Sequence, residues 1–191
     1  DTYTIEHIGI DALVLMERAA LKITECVDRL LKDKSGKVLC ICGMGNNGGD
    51  GLCVARLLTD RGIETEVVLV GDRKNGSREV QVQYAILVDA LFGIGLSRNV
   101  TGIYEQAIHS MNEKKALRIS VDIPSGIDAD TGRVFGVAVR ADETVTLAFE
   151  KRGLYLYPGS LYAGKISLAD IGITKRSFQE NTPIMYTLKE A

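Results

Sequence analysis

Between Leu13 and Leu31 the apolar residues Leu13, Met16, Ala20, Ile23, Val27 and Leu30 recur at alternating steps of three and four, with Glu17, Lys22, Glu25 and Asp28 between them. That period predicts an amphipathic helix. Asp11 is placed to cap its start, and Ser35-Gly36 follows its charged end. The next run, Lys37-Val38-Leu39-Cys40-Ile41-Cys42, has no alternation and reads as a parallel strand buried on both faces. A turn rich in glycine, Gly43 to Gly51, leads into Leu52 to Arg61, where Leu52, Ala55, Leu57 and Leu58 suit a helix. Strand, glycine turn and helix make the first half of a βαβ unit.

Further strands are expected at Thr65 to Val70, Ala85 to Val88, Leu117 to Val121, Glu143 to Ala148 and Lys165 to Leu168, with a helix from Ile103 to Asn112. Alternation of this kind predicts an α/β domain: a Rossmann-like three-layer αβα sandwich around a mostly parallel, doubly wound sheet. One domain is expected over residues 1–173, with 174–191 as a C-terminal tail or linker that lacks periodicity. Only Gly71 to Tyr84 separates the second and third strands, close to the roughly 10–12 residues that a crossover with its helix needs.

Composition narrows the function classes. The chain is 46% hydrophobic and 25% charged, the balance of a globular protein. No apolar run approaches the roughly 20 residues of a bilayer helix. Lys and Arg total 23 against 25 Asp and Glu, so no net field would draw the protein to nucleic acid or anionic lipid. Small molecules or other proteins are the expected partners. Cys26, Cys40, Cys42 and Cys53 contain no C-x-x-C pair and have no histidine at zinc-finger spacing, so reduced thiols in a cytoplasmic protein are expected.

Gly43-x-Gly45-x-x-Gly48 matches the dinucleotide fingerprint, and Asp72 follows the next strand. Taken alone, this favours a nicotinamide-dependent oxidoreductase. Asp50 argues against it: with the helix beginning at Leu52, its carboxylate sits at the helix N-terminus, either as a cap or in competition with a pyrophosphate. Asn46 and Asn47 add more polar capacity than a tight turn requires.

In an open parallel sheet, ligands bind beyond the carboxyl ends of the strands. Two more loops leave those ends: Asp89 to Asn99, containing Gly93, Gly95 and Arg98, and Asp122-Ile123-Pro124-Ser125-Gly126-Ile127-Asp128. Asp89 and Asp122 each close an apolar run, where a carboxylate needs a cation or several donors to stay charged. Each also has the plainer reading of a cap or turn residue.

These loops together resemble the N-terminal domain family of the NAD(P)H-hydrate repair enzymes, the epimerase domain also known from the apolipoprotein A-I binding protein. The resemblance spans nearly the whole chain. It includes Tyr3-Thr4-Ile5-Glu6, Leu15 to Ala20, Gly43 to Gly51, Val88 to Gly93, Val121 to Gly126 and Ala169 to Ile173. It implies an isomerase that interconverts the two C6 epimers of hydrated NADH or NADPH. Asn46, Asn47, Gly48, Gly49 and Asp50 would hold the substrate together with Gly93, Ile94, Gly95, Leu96, Ser97, Arg98 and Asn99. Asp122 would stand at the reacting ring as the proton carrier. A potassium ion would sit at Asn47, Asp89 and Ser125, a set whose single carboxylate and neutral oxygens suit a large monovalent cation better than calcium or magnesium.

The chain departs from the family's pattern in two respects. Gly71 to Tyr84 is shorter than the usual second crossover, and the ADP- or ATP-dependent dehydratase often fused to this domain is not present, so it is expected as a fused or separate partner. A homodimer is expected through the first helix and the segment Tyr3 to Asp11. The rivals are the oxidoreductase and a non-catalytic scaffold of the kind found in messenger-RNA decapping assemblies. Against the scaffold, Asn47, Asp50, Asp89, Asp122 and Ser125 are all present.

Overall fold

The computed structural model describes residues 2–31, 36–71 and 83–174. Most of the short connection after Gly71, including Asp72, and the tail after Thr174 lie outside the described residues. Strands β1 (Lys37–Cys42), β2 (Thr65–Leu69), β3 (Tyr84–Ala90), β4 (Leu117–Val121), β5 (Glu143–Leu147) and β6 (Lys165–Ala169) form one sheet in the order β2-β1-β3-β4-β5-β6. All of its pairings are parallel, so the sheet is wholly and not just mostly parallel.

The helices are α1 (Thr2–Glu6), α2 (Ala12–Leu31), α3 (Asn46–Asp60) and α4 (Ile103–Glu113). Cys40, Cys42, Ile86, Val88, Ile119 and Val121 pack against Ile23 and Val27 of α2 and Val54 and Leu58 of α3. On the opposite face, Leu39, Ile41 and Leu87 pack against Ile108 and Met111 of α4. This is the expected three-layer sandwich. The chain moves outward from β1 to β2, then returns across β1 to β3, so the strand order reverses between β1 and β3 and opens a crevice at their carboxyl ends.

Helix α2 starts as its sequence predicts, with Asp11 Oδ1 accepting the Leu13 N–H at 2.7 Å. Leu13 itself departs from expectation. It has the phase of the buried stripe, but it stands in the first turn, where no described element covers it, and is 71% exposed.

Helix α3 corrects a larger expectation. It begins at Asn46 and not near Leu52, because the glycines let its first turns lie against the strand ends. A Cβ at Gly43 would fall 2.1 Å from Leu91 O, and one at Gly48 would fall 1.9 Å from Gly43 O. At Gly51 it would meet Ala90 Cβ at 2.5 Å and Cys42 Sγ at 2.7 Å. Three positions that look like loop in the sequence are therefore close-packing positions.

At the amino edge of the sheet, Glu143 is buried against Arg29, whose Nη2 donates at 2.7 Å, and Ser167 Oγ donates at 2.7 Å. Burial acts to raise its pKa, but the bonds from Arg29 and Ser167 together hold it below the usual carboxylate range. This buried charge joins α2 to β5 and β6 and lies at the opposite edge from the crevice.

Candidate active site

Four strand exits meet at the carboxyl edge. After β1, Gly43 N–H donates to Ala90 O at 2.9 Å, tying the glycine turn to β3. Gly45 is the N-cap of α3 in an extended conformation, makes no side-chain cap bond, and has open space where a Cβ would be. With no side-chain cap among the described residues, the N-terminus of α3 suits an anion. Asp50 is five residues into the helix, so it neither caps the N-terminus nor competes there. Asp50 therefore does not occupy the helix end where a pyrophosphate would bind, contrary to expectation.

Asn47, by contrast, is buried, and its Nδ2 has no hydrogen-bond partner among the described residues. Its amide lies beside Gly93. Turned over, the carboxamide would present its oxygen at the same buried position.

Asp89 is the penultimate residue of β3 and is fully buried. Its Oδ2 accepts from Ser120 Oγ at 2.7 Å and from the Ser125 N–H at 2.9 Å, while Oδ1 accepts from Ser125 Oγ at 2.6 Å. Burial raises its pKa, and these neutral donors, with the Leu91 N–H, pull only partly the other way. Ser125 Oγ also accepts the Phe92 N–H at 2.9 Å. Phe135 bonds Gly126 O through its N–H and the Val100 N–H through its carbonyl, which clamps both long loops to one segment. Within this frame Gly95, Ile94, Ser97, Arg98 and Asn99 are exposed, Gly93 and Leu96 are half-buried, and a Cβ at Gly95 would meet nothing.

Asp122 follows β4 with φ of +68°, an uncommon conformation for a residue with a side chain. Its Oδ1 accepts from the Leu147 N–H at 2.9 Å, from Thr146 Oγ1 at 3.4 Å and from the ammonium of Lys151. Lys151 Nζ also donates to Leu147 O at 2.7 Å, and the ion pair is mostly buried, with side chains 15% and 13% exposed. The strained backbone thus turns Asp122 toward β5 instead of closing a local turn. Asp128, at the far end of the same loop, does serve a turn: its carboxylate accepts from the Thr131 and Asp130 N–H groups, and the Thr131 bond lowers its pKa.

Asp50 feels the charge of Asp122, which is itself paired with Lys151. Burial raises the Asp50 pKa to about 7, with the charge of Asp122 adding to the effect. Lys151 and Thr146 were missed in the sequence. The edge rule that singled out the exits of β1, β3 and β4 applies equally to β5, and Lys151 lies only four residues beyond Leu147.

Of the residues expected to form an ion shell, Asp89 and Ser125 are hydrogen-bonded to each other at the end of β3, and Asn47 lies against Gly93 in the loop that follows. Among the described residues no three His, Cys, Asp or Glu side chains converge as a polyvalent site would require. All four cysteines are free, and burial, foremost among the causes, pushes the Cys42 thiol up to about 12.

The family model for the YjeF-related protein N-terminus matches residues 12–87 and 78–153. The chain belongs to this YjeF-related family. A protein of Levilactobacillus brevis described as an NAD(P)H-hydrate epimerase is 43% identical over 195 residues, covering 91% of this chain and 89% of its own. Proteins with the same description from Oenococcus oeni and Limosilactobacillus reuteri are 40% and 42% identical, covering 91% and 89% of this chain and 92% and 90% of theirs. The crystal structure of yeast ynu0 (YNL200c) superposes with a TM-score of 0.69 at 23% identity, covering 81% of this chain and 78% of that one, and shows the same fold. The two stretches matched by the family model overlap at residues 78–87, within the short connection before β3 and in β3 itself.

A carboxyl that keeps its proton to about pH 7, against an ordinary value of 3.8, makes the folded state bind protons more tightly than the unfolded chain between those values. Stability from this group therefore falls as pH rises through that window, by on the order of 4 kcal/mol at most. Asp50→Asn cannot ionise. Urea denaturation should show the variant gaining on the wild type at pH 8, with the gain absent near pH 4. An equal difference at both pH values would remove Asp50 as a proton-holding group.

Proposed function

We propose that this chain is an NAD(P)H-hydrate epimerase, an isomerase that interconverts the (6R) and (6S) hydrates of NADH or NADPH. What carries the reading is family membership, with relatives of that description at 40–43% identity over about nine-tenths of each chain, together with a carboxylate cluster at the sheet's switch point. The open backbone at Gly45 and the uncapped end of α3 suit any dinucleotide, and hydrated NAD(P)H is one. They therefore do not favour an oxidoreductase over an epimerase.

In this reading the substrate's phosphates lie against the N–H groups of Asn46, Asn47 and Gly48, with Gly49 and the Gly93 to Asn99 loop completing the cradle. Gly93, Ile94, Gly95, Leu96, Ser97, Arg98 and Asn99 then line the nucleotide, with Arg98 supplying positive charge. Asp50 and Asp122 face the ring that reacts. Inversion at C6 requires the hemiaminal to be broken and remade, and Asp122 carries a proton in that exchange. Lys151 and the Leu147 N–H pin one of its oxygens and fix its direction.

The donor set at the end of β3 fits a potassium ion: the Asp89 carboxylate, the Ser125 hydroxyl and the Asn47 carboxamide, whose buried end has no partner among the described residues. When bound, the ion supplies a fixed positive charge that orders the loops around the substrate. A cytoplasmic location is proposed on the free, mostly buried cysteines. An ADP- or ATP-dependent dehydratase, fused or separate, is the proposed partner that consumes one epimer. The chain is also proposed to form a homodimer through Ile8, Leu13, Val14 and Leu21, apolar residues that α2 and the segment before it leave exposed.

The deciding experiment supplies mixed (6R) and (6S) NADPH hydrate with a dehydratase specific for the S form. Wild-type protein should carry the reaction to completion, and Asp122→Asn should remove about 10²–10⁴-fold of that rate while remaining folded. An R epimer that persists at the spontaneous rate with wild-type protein would defeat the reading. Potassium should raise the thermal midpoint more than sodium at equal ionic strength, because an ion that binds only the folded state stabilises it by mass action. Equal midpoints would exclude a selective potassium site. Light scattering should give twice the monomer mass at micromolar concentration, and a monomer there would exclude the dimer.

A further inference from the structure

Asp122 alone does not account for the polar chemistry gathered around it. Asp50 is three residues beyond Asn47 on α3, so it enters the crevice from the side of β1 and β3, while Asp122 enters from the exit of β4. Their surroundings are opposite in kind. Asp122 has three donors on Oδ1, one of them the Lys151 ammonium. Asp50 receives no hydrogen bond from the described residues, is half-buried, and feels the negative charge of Asp122. One crevice thus holds a carboxyl bound by three donors and a half-buried carboxyl that receives none from the described residues. When the environments of two titratable groups differ in this way, they divide the roles of acid and base.

We propose that Asp50 is the acid partner of Asp122, and that the two carboxyl groups together open and reclose the hemiaminal ring of the substrate. This rests on the hydrated-nucleotide reading above. In the hemiaminal, C6 carries both the hydroxyl oxygen and the ring nitrogen. Asp122 takes the hydroxyl proton, and the O–H electron pair becomes the second bond of a C6 carbonyl. The C6–N bond breaks, and its electron pair takes the proton of Asp50. Rotation about the C5–C6 bond presents the other face of the aldehyde. The nitrogen then adds to that face, returning its proton to Asp50 while Asp122 returns a proton to the oxygen. Atoms and charge balance over the cycle, and the pair is reset without net exchange with solvent. The alternative, loss of water and addition from the opposite face, calls for acid and base on the two faces of the ring. Carboxyls close enough to feel one another suit the opening of adjacent bonds.

Cys53, one turn further along α3, feels the charge of Asp50, and it also feels Glu17 of α2 and Arg56 of α3, which pair with each other at 2.6 Å. Across the crevice stand Asp122 and its partner Lys151. Because Asp50 must carry its proton to act, wild-type kcat should fall as pH rises through about 7.

The test uses the full chain with (6R)-NADPH hydrate and excess S-specific dehydratase, and circular dichroism to check each variant's fold. Asp50→Asn should lower kcat by about 10²–10⁴-fold with KM changed less than a few-fold, and it should lose the limb near neutral pH. Asp50→Glu should restore part of the rate and keep the limb. Hydrate recovered from a wild-type reaction in ¹⁸O-labelled water should retain its original oxygen. Activity of Asp50→Asn within a few-fold of wild type, or a loss confined to KM, overturns the role of Asp50. One solvent oxygen gained per inversion overturns the ring-opening step. Wild-type protein that fails to convert the R epimer defeats the underlying functional reading, which is a separable outcome.

Discussion

The carboxyl of Asp89 is buried at the end of β3 with no cationic side chain bonded to it among the described residues, and the crevice is organised around that group. A buried carboxylate must be hydrogen-bonded or paired, or else it takes up a proton. Here the donors come from the neighbouring strand and its exit: Ser120 from within β4, and the Ser125 hydroxyl and N–H from the loop beyond it. Ser125 in turn accepts from Phe92, so the loops after β3 and β4 meet at one hydroxyl. Moving either loop would strip donors from a carboxyl that has no access to water. The same group that would attract a cation thus also sets the relative position of the two loops.

Close backbone approach provides the other half of the frame. Gly43, Gly48 and Gly51 let α3 descend onto the ends of β1 and β3 until a single methyl at any of them would collide with backbone or a core side chain. At Gly51 this reverses the usual preference of a helix interior for alanine, worth about 1 kcal/mol, because overpacking typically costs about 1–3 kcal/mol. Gly45, by contrast, faces open space, so its lack of a side chain serves whatever approaches from outside. Four glycines that look alike in the sequence divide into three that pack inward and one that faces outward.

That division marks what could be read from the sequence and what could not. The period of α2 and the apolar run of β1 gave their elements nearly residue for residue, because burial imposes those patterns directly. The start of α3 was misplaced because glycine and asparagine signal turns by local propensity, whereas here tertiary packing holds them in a helix. Asp89, Asp122 and Ser125 were legible because they follow apolar runs at a predictable edge. Lys151 was not, since a lysine after a strand is usually solvated, and only the +68° turn at Asp122 directs that carboxylate toward it.

The electrostatics of the crevice follow from these placements. Had α3 begun at Leu52, Asp50 would have capped the helix, accepting N–H bonds that stabilise a carboxylate. Starting the helix at Asn46 moves Asp50 into the helix body, where its own backbone is already bonded and supplies no donors to the side chain. Glycine packing, which fixes where the helix begins, thereby changes Asp50 from a stabilised anion into a group that holds a proton to near neutral pH. Asp122, by contrast, is bonded by Lys151 and the Leu147 N–H. The difference between the two carboxyls is therefore a property of the fold at this edge, and neither residue's identity alone would produce it.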